Sequence, residues 1–278
     1  MTLTIDSTIT LANGVEMPLL GFGTYKVTGA DVVPSVREAL DAGYRHIDTA
    51  SMYDNEVEVG RAIRESGIAR DEIFLATKVW NDEQGEEGVI AALDRSLARL
   101  GMDYVDLYLV HWPIPRLYAS TWRGMERVLE AGTARAIGVS NFLEEQLEAL
   151  SRVAEVPPMV DQVEHHPFLQ QPALQQVLRD RRIALEAWAP IARGRVLDDP
   201  AVARIAEGHG VTAAQVVLRW ILQHGHVAIP KSVTPSRIRE NADLYGFALS
   251  SAEMAEIDAL DRGEDGRFGK HPREFASR

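Results

Sequence analysis

Four polar residues close apolar runs in this chain, and together they have the makings of a proton-transfer assembly. Asp48 ends Arg45-His46-Ile47-Asp48, and Tyr53 follows five residues later across Thr49-Ala50-Ser51-Met52. Lys78 ends Ile73-Phe74-Leu75-Ala76-Thr77-Lys78, and His111 ends Leu107-Tyr108-Leu109-Val110-His111. Each alone has an ordinary reading: a loop cap, a packed phenol, a lysine reaching solvent, a core histidine. Held at one rim they read differently. A lysine beside an apolar strand tolerates burial only with a carboxylate, and Asp48 on the neighbouring run is placed to be that partner. A lysine cation near Tyr53 is expected to favour phenolate and lower a pKa of about 10, making the phenol a general acid. His111 would orient or polarise a carbonyl.

The elements that must position these groups are short apolar runs alternating with longer amphipathic stretches. Candidate strands are Leu19-Gly23, Arg45-Asp48, Ile73-Lys78, Tyr104-His111, Ala134-Ser140, Met159-Val163, Ile183-Trp188 and Val227-Lys231. Apolar residues at three- and four-residue steps predict helices over 31–42, 55–66, 88–100, 122–131, 144–153, 172–181 and 212–224. Segments 200–209 and 250–260 break the alternation and read as added helices. An opening hairpin, Ile9 to Met17, turns at Asn13-Gly14. This is the pattern of a (β/α)8 TIM barrel, whose functional groups sit where strands end. An open doubly wound sheet would need a glycine fingerprint after its first strand, and Gly21-Phe22-Gly23 lacks the third glycine. The division expected is one domain over 1–278, with a hairpin cap at 1–17 and a tail at 261–278.

Composition narrows the class. The chain has 278 residues, 46% apolar and 25% charged, which is globular composition. With no cysteine it has no disulfide, thiolate metal site or cysteine nucleophile. A net charge of -12 and no basic stripe argue against nucleic acid as a partner. No apolar run is long enough for a membrane span and no export signal is evident, so a cytoplasmic enzyme is expected.

Two tempting motifs fail. Ile229-Pro230-Lys231-Ser232 ends like a phosphate-binding loop, but Pro230 stands where that loop needs glycine. Glu164-His165-His166 suggests a metal, yet successive side chains on an extended segment point to opposite faces. One histidine is expected packed and the other exposed, and no metal is expected.

The segments GYRHIDTASMYDNEVEVG (43–60), LATK (75–78), VDLYLVHWP (105–113), IGVSNF (137–142) and IPKS followed by RIRENA (229–242) resemble aldo-keto reductase signatures, in order and across nearly the whole chain. The compact form is similar to bacterial 2,5-diketo-D-gluconate reductases. The resemblance implies an NADPH-dependent reduction of aldehydes or ketones, with Asp48, Tyr53, Lys78 and His111 as the catalytic tetrad. It also implies that Ser140, Asn141 and Gln162 hold the nicotinamide carboxamide. Trp188 would stack on that ring, or serve simply as a core aromatic. Lys231, Ser232 and Arg237, with Glu240 and Asn241, would take the adenosine 2′-phosphate and adenine. Relatives commonly carry leucine at His165 and serine at Ala189, so this chain departs there.

Phe22, Tyr25, Trp80 and Trp112 are the expected apolar walls of the substrate pocket. The tail is glycine-rich and charged, and reads either as a flap over small dicarbonyls or keto sugars or as a solvated end. As a flap it would use Arg267 or Lys270 toward carboxylates and Phe268 toward apolar groups. A monomer is expected by analogy. Two rivals are a barrel that binds NADPH without turnover and an aldolase using Lys78 as a Schiff-base amine.

Overall fold

The computed structural model describes residues 3–274. Strands β1 (Thr8–Thr10) and β2 (Glu16–Pro18) form the antiparallel hairpin, with Ile9 opposite Met17. Met17 is fully buried, and Asn13 Nδ2 donates to the Arg135 carbonyl, so the hairpin plugs the end of the barrel where strands begin.

Eight parallel strands follow in sequential order: β3 (Gly21–Gly23), β4 (His46–Asp48), β5 (Phe74–Val79), β6 (Val105–Val110), β7 (Ala134–Ser140), β8 (Val160–Glu164), β9 (Ala184–Trp188) and β10 (Val227–Ala228). The circle closes where Leu20 pairs with Ala228: the Ala228 N–H donates to Leu19 and the Gly23 N–H donates to Pro230. The expected eight strands are all present. β10 is shorter than the expected Val227-Lys231, because Pro230 has no N–H to extend a ladder.

Helices α1 (Val32–Asp41), α2 (Glu56–Glu65), α3 (Glu86–Leu100), α4 (Tyr118–Glu130), α5 (Glu144–Ser151), α6 (Pro172–Arg181), α7 (Pro200–His209), α8 (Ala213–Gln223), α9 (Pro235–Ala242) and α10 (Ser251–Asp258) surround the strands. Their starts are written locally. Thr212 and Gln215 at α8, and Ser250 and Glu253 at α10, exchange side-chain-to-backbone bonds as capping boxes. The added helices α7 and α10 pack on one another through Arg204 and Glu256. Among the described residues no helix is long and apolar enough to cross a membrane.

Register decides which side chains reach the interior. His46 and Asp48 pair with Gly21 and Gly23, Ala76 pairs with both Asp48 and Leu107, and Lys78 pairs with Leu109. Ser140 pairs with Gln162, and Gln162 with Glu186. Because faces alternate, these residues form one inward set. Phe22 falls on the other face with Ile47. It is 1% exposed and packs edge-on to Tyr44, whose hydroxyl donates to Ile238 of α9. The expectation that Phe22 walls the pocket is therefore corrected: it belongs to the layer between strands and helices.

Candidate active site

At the C-terminal end of β4 and β5, Lys78 Nζ lies 2.7 Å from each Asp48 carboxylate oxygen and 2.9 Å from the Thr49 carbonyl. Its fourth neighbour is the Tyr53 hydroxyl at 3.4 Å. Lys78 is fully buried and Asp48 almost so. Burial by itself would pull the ammonium toward neutrality, but Asp48 and Tyr53 outweigh it and the pKa moves up. Lys78 therefore stays a cation.

Tyr53 ends a single turn, Ser51–Tyr53, and its ring meets Tyr25 at 5.0 Å and His111 at 5.8 Å. Its pKa is corrected in direction. Desolvation pushes the phenol up to about 12, and the Lys78 cation only partly opposes it while Asp48 adds to the rise. The hydroxyl keeps its proton at neutral pH, as a proton donor must.

His111 continues β6 and is fixed by its backbone N–H to Val79 and by Asn141 Nδ2 donating to its carbonyl. Trp80 stands edge-on to its ring at 5.0 Å. Burial, then the nearby Lys78 cation, hold its pKa well below the usual imidazole range, so the ring is neutral. The structure thus brings the four residues together around the Tyr53 hydroxyl. Tyr25, 45% exposed, and the half-buried Trp80 and Trp112 stand at the same rim.

The ends of β7, β8 and β9 carry a connected polar set. Ser140 Oγ donates to the Gln162 carbonyl, Asn141 Nδ2 donates to Ser140 Oγ as well as to His111, and Trp188 Nε1 donates to Asn141 Oδ1 at 2.8 Å. Gln162 Nε2 donates to Asp48 Oδ2 at 2.9 Å and to Glu186 Oε2 at 2.8 Å. The donor hydrogens of Ser140, Asn141 and Gln162 are thus spent within the protein, and although Ser140 Oγ and Asn141 Oδ1 each already accept one bond, what the three have left to offer a ligand is acceptor oxygen. Such a set fits an amide NH2 group.

Past β10, Lys231 is exposed and Ser232 is buried, its Oγ taking the Thr234 N–H. Arg237 lies exposed in the first turn of α9. Asn241 is buried, and Glu240 accepts from Thr212 Oγ1. Two exposed cations at one strand end of an acidic protein fit a phosphate.

The tail is neither a loose flap nor a solvated end over its described part. Glu164, at the end of β8, accepts the N–H groups of Phe268 and Gly269 at 2.8 Å each and faces His166 Nε2 at 3.2 Å. Burial would raise this carboxyl, but the His166 bond and the two amides hold it below the usual range. Phe268 stacks on His166 and lies under the Arg195 guanidinium. Arg267, only 7% exposed, is held by Glu264 and Gln171. Its expected role in attracting carboxylates is corrected by that engagement. Residues 275–278 lie outside the described part.

The expectation for His165 and His166 is also corrected. They do point to opposite faces, but both are fully buried, because Trp220 and His226 cover one and the tail covers the other. Among the described residues no cluster could hold a metal ion.

Glu186, His46 and Gly269 were not singled out from sequence, and Glu164 was weighed only as part of a metal motif. Counting back by two along β4 and β9 from Asp48 and Trp188 would have found His46 and Glu186, since alternate residues share a face.

A profile of the Aldo/keto reductase family matches residues 19–262. Glyoxal reductase from Bacillus subtilis (strain 168) is 50% identical over 276 residues, covering 99% of both chains. Morphine 6-dehydrogenase from Pseudomonas putida is 47% identical over 281 residues, covering 96% of this chain and 94% of that one. The crystal structure of a Gox0644 mutant in complex with NADPH superposes with a TM-score of 0.92 at 41% identity, covering 96% of this chain and 98% of that one.

Proposed function

From the chain's membership of the aldo/keto reductase family, in which it is an oxidoreductase, we propose that it reduces small dicarbonyls and keto sugars with NADPH, using Tyr53 as the general acid. The observation that carries this reading is the Tyr53 hydroxyl, protonated and set against a buried, permanently charged Lys78.

Ser140, Asn141 and Gln162 would hold the nicotinamide amide, Trp188 its ring, and Lys231, Ser232 and Arg237 the 2′-phosphate. Glu240 and Asn241 would border the adenine. NADPH, when bound, supplies the hydride that the carbonyl carbon receives. Tyr53 gives its proton to the carbonyl oxygen, so that hydride and proton together complete the alcohol. The phenolate left on Tyr53 is stabilised by Lys78, whose charge Asp48 maintains. The neutral His111 orients the carbonyl as a hydrogen-bond partner and carries no charge of its own. General acid catalysis contributes about 10²–10⁴-fold, and positioning of the carbonyl against the cofactor must supply most of the rest.

The similarity to a glyoxal reductase supports a small 2-oxoaldehyde as substrate. All four tetrad residues come from one chain, which supports a monomer as the working unit, and the cysteine-free composition supports a cytoplasmic setting. A Schiff-base role for Lys78 loses support, because such an amine must be neutral to attack. The test is NADPH oxidation, followed at the dihydronicotinamide absorbance, with methylglyoxal and a keto sugar. Turnover that is abolished in Tyr53→Phe is expected. Binding of NADPH without turnover of any carbonyl would overturn the reading in favour of a sensor.

A further inference from the structure

Beneath the tetrad lies a polar pair that the reaction leaves without a task. Glu186 and His46 are fully buried inside the barrel, and Glu186 Oε1 faces His46 Nε2 at 3.4 Å. Glu186 Oε1 has no other hydrogen-bond partner, and the imidazole otherwise meets the Pro18 backbone. An ionised Glu186 would be a buried anion with no cation of its own, whichever imidazole nitrogen carries its hydrogen, because Lys78 is already matched by Asp48. One proton added to the pair removes that charge and fills the contact. The other carboxylate oxygen, Oε2, is tied to Asp48 through the amide nitrogen of Gln162, so the pair is wired to the Lys78 counter-ion.

We infer that Glu186 carries a proton on Oε1 directed at His46 Nε2, and that this makes Glu186 a positioning residue: it leaves Asp48 as the sole anion set against Lys78. The inference rests on Tyr53 being the proton donor. The charged and titratable groups facing Glu186 are His46 and Asp48 from β4 and Lys78 from β5, while β8 contributes the neutral Gln162. Asp106, which acts on His46 from farther away, is already paired with Arg70 and Arg135.

Burial, then Asp48, carry the Glu186 carboxyl up to about 8, whereas burial takes His46 down to about 4. In the window between, the shared proton belongs to Glu186. Above it, a second anion joins Asp48 opposite Lys78. Ionising Tyr53 then becomes harder and reduction slows. His111 titrates well below this range, and Tyr53 and Lys78 above it.

Glu186→Gln mimics the protonated state, its oxygen taking the Gln162 N–H and its nitrogen donating to His46. In the wild type, kcat/KM for carbonyl reduction should fall through a midpoint near 8 to a plateau about tenfold lower, as expected for one added charge at this depth. In Glu186→Gln it should stay within about twofold of its neutral-pH value over the same range, since no charge is added. Independently of turnover, infrared spectra of the cofactor-free protein should show a carboxylic acid carbonyl band that titrates away near 8 and is missing in Glu186→Gln.

An unchanged alkaline limb in the variant, or a folded variant inactive at neutral pH, overturns the inference. So does the absence of that band in the wild type, a result that needs no variant to fold. Should the protein reduce no carbonyl, the infrared titration still decides the shared proton, which separates this failure from that of the proposed function.

Discussion

Gly269 lies against the ring edge of Trp188, so close that a Cβ at position 269 would fall 2.3 Å from Trp188 Cη2 and 2.8 Å from Glu164 Oε2. The tail thereby backs Trp188, and Asn141 holds its nitrogen. Gly269→Ala should displace Trp188, raising KM and reordering substrates. Truncation after Arg262 should do the same and, because Glu164 loses two amide donors while buried, should also lower the melting temperature, at a cost of about 1–3 kcal/mol. A truncated enzyme with unaltered substrate ranking would remove the tail from the site.

Tyr53→Phe should reduce carbonyl turnover by about 10²-fold or more while NADPH affinity holds, since only the proton donor goes. Steady-state kinetics paired with a fluorescence titration of NADPH would measure both. Turnover above about a tenth of wild type would sink the assignment.

Cofactor choice should follow Lys231 and Arg237. Charge-assisted hydrogen bonds contribute roughly 1.5–3 kcal/mol each, so NADPH should bind at least about tenfold tighter than NADH after desolvation losses. Removing both cations should erase the difference. Equal dissociation constants in the wild type would show that these exposed residues hold no phosphate.

Acid should destabilise this protein through its buried histidines. His46 and His226 are both carried down to about 4 by burial, and burial moves His165 well below its usual value. Because the folded pKa lies below the unfolded value of about 6.5, stability is complete above 6.5 and is lost as pH falls from there toward 4. His46 and His226 could each cost up to roughly 3 kcal/mol at the acid end of that window. His165→Leu should raise the denaturation midpoint at about pH 5 relative to wild type and change it little at neutral pH. Parallel urea unfolding at the two pH values checks this, and an equal shift at both would assign the effect to packing instead.

Period carried most of what the sequence told. Asp48, Lys78 and His111 were legible because each ends a run whose alternation also defines a strand, and barrel geometry then puts strand ends together. Tyr53 was legible only by its distance from Asp48. What stayed hidden depends on pairings between distant segments. Nothing in Phe268-Gly269 announces that their amides seek Glu164 a hundred residues earlier, and the outward turn of Phe22 follows from a register with β4 that local sequence does not state. The pKa of Tyr53 was misjudged for a related reason. The Lys78 cation could be read from position, but the depth of burial that outweighs it could not.

The seam between Leu20 and Ala228 joins the chain's first and last barrel strands, and β10 contributes only two residues to it. During synthesis the ring cannot close until nearly the whole chain has emerged, so closure is a late, non-local event. In the finished protein the seam should also be an early place to breathe, which amide exchange at Gly23 and Ala228 would register. Lys231 and Ser232 follow directly on that thin strand. A ligand gripping them while touching Trp188 on β9 would act as a clasp across the weakest stave, and its affinity would return to the protein as resistance to heat.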